Sequence, residues 1–60
     1  MPSDETRRVL KVFGVALTSL EDAVQQNAPA DDIRELDAEL TRRTGEVLAL
    51  IERLRSRRTT

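Results

Sequence analysis

Asp31, Asp32, Glu35 and Glu39 are the first side chains whose types and spacing could do chemistry together, since carboxylates in such number ligate Ca²⁺ or Mg²⁺. Their spacing argues otherwise. Cation loops alternate ligands around a glycine, and no glycine lies among these residues; acids in a first helical turn complement the positive end of the helix dipole instead. The second charged group is basic. Arg7, Arg8 and Lys11 near the start and Arg53, Arg55, Arg57 and Arg58 near the end form a candidate anion-binding end if the fold joins them. The sixty residues include no Cys and no His, which removes thiolate and imidazole chemistry, and no disulfide staples the fold. Glycine-rich phosphate loops, nucleophile elbows and carboxylate pairs with a base are absent as well. No catalytic, cofactor-binding or metal-ligating residue is assigned, and the chain is expected not to be an enzyme.

The elements that must position these charges are two helices about one corner. Ser3 is a suitable N-cap, with Asp4 and Glu5 in the following turn. Helix 1 is expected over about 4–26. Leu10, Phe13, Leu17, Leu20 and Val24 recur at alternating steps of three and four, a series that Asn27 continues, and Val9, Ala16 and Ala23 flank it. Pro29 cannot continue a helix but suits the start of one, and Asp31 and Asp32 follow it, so residues 27–28 are the corner and helix 2 is expected over about 29–57. Its seam is Ile33, Leu36, Leu40, Val47, Leu50 and Leu54, flanked by Thr44 and Ile51. Arg43 alone breaks it. Its long stem is expected to snorkel toward Glu39, four residues earlier; a polar seam residue also serves to specify register and oligomer state. Folding about the corner pairs positions whose numbers sum to roughly sixty, which brings Gly14 and Gly45 to nearly one level, where they are either tolerated surface glycines or a place for the close approach of another helix or a ligand. Val12, Val15 and Leu48 lie off the seams and form a candidate partner surface.

Size and charge bound the function. A lone pair of helices barely offsets the entropy of ordering so short a chain, so self-association is expected, with the seams building an all-α homodimeric four-helix bundle. Ten basic and eleven acidic residues leave a net charge of −1, but the charge is not evenly spread. Residues 21–39 carry Glu21, Asp22, Asp31, Asp32, Glu35, Asp37 and Glu39 against Arg34, a balance of −6. Residues 1–11 and 50–60 together carry +4. The hairpin is a rod with an acidic tip and a basic tail, and two rods packed antiparallel would set tip beside tail. The apolar run after Thr6-Arg7-Arg8 has a signal-peptide outline, but Lys11 interrupts it and Asp4 and Glu5 acidify its flank. The longest unbroken apolar stretch is Val47–Ile51, so a cytoplasmic protein without a membrane partner is expected. Nine of the ten basic residues are Arg, which suggests a GC-rich bacterial or phage source.

Three resemblances bear on function. Glu35-Leu36-Asp37 is similar to the tail of the Ser-Gln-Glu-Leu-Asp motif of sporulation aspartyl-phosphate phosphatases, with Ile33 and Arg34 where the motif has Ser and Gln; it implies a phosphatase-like or enzyme-regulating hairpin. In plan the chain resembles the plasmid repressor-of-primer hairpin, which dimerises into a four-helix bundle and binds paired RNA loops. Arg7, Arg8, Lys11 and Phe13 are all that helix 1 offers toward such a face. The stretch Ser19-Leu20-Glu21-Asp22-Ala23, with Asp31-Asp32-Ile33, Leu36 and Leu40, also resembles the C-terminal docking hairpins of modular polyketide synthases, which imply a dimeric docking module.

Together these features point first to a small regulatory module that binds itself and a partner protein, second to a weak nucleic-acid binder, third to a phosphatase-like regulator. Phe13 is the only aromatic residue, which leaves no platform for base stacking. Fluorescence-anisotropy titration at 150 mM salt is expected to give no complex with duplex DNA or structured RNA tighter than about 10 µM, the range of non-specific phosphate contact. Salt-sensitive submicromolar binding, lost on changing Arg55, Arg57 and Arg58 to Ala, would put the nucleic-acid class first.

Overall fold

Two helices lie antiparallel in one layer. The computed structural model describes residues 3–58, with the side chain of Arg58 outside that description; helix α1 spans Asp4–Gln25 and helix α2 spans Ala30–Arg58. Among the described residues there is no strand. The molecule measures 48 × 19 × 12 Å, two helices wide and one helix deep. Its radius of gyration is 14.3 Å, against about 10 Å for a compact chain of this length.

Each end of α1 is closed by local chemistry. Ser3 is extended and its Oγ accepts the Thr6 N–H at 3.1 Å, which satisfies one of the unpaired donors of the first turn. The Ser3 hydroxyl in turn donates to Thr6 Oγ1 at 3.1 Å. At the other end Asn27 has φ 55°, the left-handed region that Asn tolerates better than most residues. The Ala28 N–H donates to the Ala23 carbonyl at 2.9 Å and the Asn27 N–H to the Val24 carbonyl at 3.2 Å, the paired bonds of a Schellman ending. Asn27 therefore leaves the helical series that its spacing suggests it continues. Pro29 follows, and its carbonyl accepts the Ile33 N–H at 3.1 Å, so Pro29 caps α2 and the first helical residue is Ala30.

The helices meet along a narrower line than the seams imply. The buried residues are Ala16 and Ala23 of α1 and Leu50 of α2, with Val9, Val12, Phe13, Leu20, Ile33, Leu36, Leu40, Arg43 and Val47 half-buried around them. The centre of contact on α1 is thus the column Val9, Ala16 and Ala23, one position before the expected seam. Leu10, Leu17 and Val24 of that seam remain 46–55% exposed. At the open end Arg53 Nη2 donates to Glu5 Oε2 at 2.6 Å, which fixes the register of the two helices close to the expected pairing. Both partners are half-exposed, so this bond aligns the ends more than it stabilises them. The space around Gly14 and Gly45 is open, since a Cβ added at either meets nothing within 4 Å.

Two substitutions test these local assignments by urea titration. Ser3→Ala is expected to cost about 1 kcal/mol through loss of the cap. Gly45→Ala should add about 0.5–1 kcal/mol, because alanine disfavours the unfolded chain and nothing in the hairpin opposes its methyl group. A loss of stability at position 45 would show that another chain occupies that space.

Candidate interaction surface

Helical geometry divides the residues around the contact line into two unlike flanks. Each residue advances about 100° around its helix, and α2 runs back along α1, so the column one position after the contact column lies on the same side of the hairpin in both helices. On α1 that column is Leu10, Leu17 and Val24. On α2 the contact column is Leu36, Arg43 and Leu50, and the next is Asp37, Thr44 and Ile51. With Leu54 and the outer edges of Phe13, Leu20, Leu40 and Val47, these residues make one continuous, largely apolar face. Ile51 is 36% exposed and Leu54 45%. Isolated exposed apolar residues are ordinary, whereas here they align in a row over both helices.

The opposite flank is polar. Its columns are Arg8, Val15 and Asp22 on α1 and Glu35, Arg42 and Ala49 on α2. Arg43 closes this side. Its Nε donates to Glu39 Oε2 at 2.7 Å, the partner its spacing predicts, and its Nη1 donates to Glu46 Oε2 at 2.9 Å. Arg42 adds an ion pair to Glu39 at 3.0 Å. The Glu46 hydrogen bond, followed by that of Glu39, raises the Arg43 pKa above its ordinary value against the opposing effect of desolvation. Arg43 thus lays its stem across the contact line and holds its charge on the polar flank. Glu46 is the partner that sequence reasoning missed, although its position three residues on is the other spacing that brings helical side chains together.

Toward the corner the polar flank holds a shallow cavity of about 460 Å³. Ser19, Asp22, Ala23, Gln26, Ala28, Asp32, Glu35 and Leu36 line it. Charge periodicity shows the acids but not the concavity, which arises where the Schellman turn spreads the two chains. Among the described residues no three acidic side chains converge on a point where one metal ion would sit.

The remaining predicted sites are separated or partly neutralised. Val12 is half-buried beside the contact line, Val15 is exposed on the polar flank and Leu48 is exposed on the outer side of α2. Val12 and Val15 lie on one side of α1, and Leu48 is parted from them on the outer side of α2, so the three do not form the single partner surface expected of them. The basic residues do gather at one end, but Arg53 is tied to Glu5 and Arg55 to Glu52 at 2.9 Å. Arg7, Arg8 and Lys11 have no ion-pair partner among the described residues and fan around the outside of α1. No helix among the described residues is long and apolar enough to cross a membrane. The chain matches no family model, no curated protein and no solved structure in the comparisons made.

Arg43 is the one charged residue on the contact column, and Arg43→Leu would make that column apolar throughout. The urea midpoint is expected to rise while species larger than the wild-type assembly appear in sedimentation, as loss of a specifying polar residue relaxes register. A lower midpoint with unchanged mass would assign Arg43 a net stabilising part.

Proposed function

We propose that this chain is a non-enzymatic protein-interaction module that self-associates through its open apolar face into a homodimeric four-helix bundle. The observation that carries this reading is the aligned exposure of Leu10, Leu17, Val24, Ile51 and Leu54 beside a core that, among the described residues, holds two alanines and one leucine. A chain with so few buried side chains leaves most of its apolar surface in water, and a second layer of helices is the simplest way to cover it.

The areas agree with that reading. The hairpin exposes 4935 Å², roughly 1,000 Å² more than the surface expected of a compact folded chain of 6.8 kDa. A standard protein interface covers about 800 Å² on each partner. Pairing would leave the polar flank, with its acidic groove, as the surface offered to a different protein.

Sedimentation equilibrium at about 10 µM, within the range where a standard-sized interface is populated, is expected to give a dimer. Leu17→Asp should weaken association more than tenfold, since a carboxylate buried without a partner is costly. Val15→Asp, on the polar flank, should leave the mass unchanged. A wild-type monomer with a sharp unfolding transition would remove the proposal.

A further inference from the structure

The charges left unpaired within one copy specify how the second copy sits. Glu21 and Asp37 border the apolar face near the corner, and neither has an ion-pair partner among the described residues. Arg7 borders the same face near the open end and is likewise unpaired within the hairpin. Arg55, paired with Glu52 at 2.9 Å, lies on the equivalent border of α2.

Two symmetric pairings cover the face. With the twofold axis along the rod, both corners lie together and a region of −6 meets its own copy. With the axis across the rod, each corner meets the other copy's open end. The Glu5–Arg53 bond sets the middle of α1, near Gly14, level with the middle of α2, near Thr44, so a crossing axis there exchanges the two ends of each helix. Leu10 then comes within one residue of the level of Leu17 of the second copy, and Val47 within one residue of the level of its Leu40, so apolar residues meet near the middle of both helices.

We infer that two copies pair antiparallel across this face, with Glu21 of each against Arg7 of the other. The inference rests on the self-association proposed above and adds the orientation. Opposite charges at the rim orient the encounter, while the apolar rows supply the area.

Salt and cross-linking read the orientation separately from association itself. On raising salt from about 0.05 to 0.5 M, the antiparallel dimer should weaken about threefold to tenfold, because screening removes attraction between half-exposed groups. A parallel dimer would tighten as its corner repulsion is screened, which overturns the inference but leaves self-association standing. The chain has no native cysteine, so single thiols at Glu21→Cys and Arg7→Cys give an unambiguous readout with a short bismaleimide. Mixed variants should cross-link and each variant alone should not. Self-linking of either variant, or a dimer that links in no combination, overturns the antiparallel arrangement. Absence of any dimer by sedimentation in the wild-type chain removes the underlying reading as well.

Discussion

The hairpin depends on a contact line whose α1 side is mostly alanine. Val9, Ala16 and Ala23 present small side chains to Leu36, Arg43 and Leu50, so the contact line buries little. The larger residues, Leu10, Leu17 and Val24, are turned by one helical position onto the side of the pair. The molecule is therefore amphipathic as a whole, in the way that a single helix on a globular surface is amphipathic.

Arg43 makes the two sides of that line chemically distinct. A guanidinium on the contact column must reach water or carboxylate, and Glu39 and Glu46 both lie toward the polar flank. The fork occupies that flank and leaves the other side free of buried charge. Had its partners stood on the opposite side, the apolar face would carry a charged network at its centre, and covering it would need that network desolvated. The position of two glutamates thus selects which side of the hairpin remains apolar.

Charge along the rod adds a second asymmetry to the first. Acids cluster around the corner, where the start of α2 favours them through its dipole, while Arg7, Arg8 and Lys11 stand at the start of α1 against that preference. The placement of Arg7 is accounted for by the proposed antiparallel pairing, in which it faces Glu21 of a second copy. The acidic groove lies on the polar flank, clear of the apolar face, so a dimer would still present it. One short chain thereby separates three surfaces: a contact line, an apolar face and a charged outer flank.

What the sequence determined by itself is local. Ser3, Pro29 and the acids after it set the helix boundaries to within a residue or two, because caps and breakers act through bonds to their own neighbours. The three-four spacing identified the apolar residues, and the four-residue step from Glu39 to Arg43 identified one of its ion pairs. Asn27 shows the limit, since its polar side chain fits the helical series and only the backbone turn reveals its left-handed conformation. The division of the seam was decided by tertiary structure. Periodicity gives each helix a wide apolar stripe without saying which edge of it meets the other helix, and on α1 the small column Val9, Ala16 and Ala23 took the contact. The same choice turned Leu17 and Ile51 to a common open face and parted Val15 from Leu48, for these relations depend on how two helices are rotated against each other and on nothing within either helix alone.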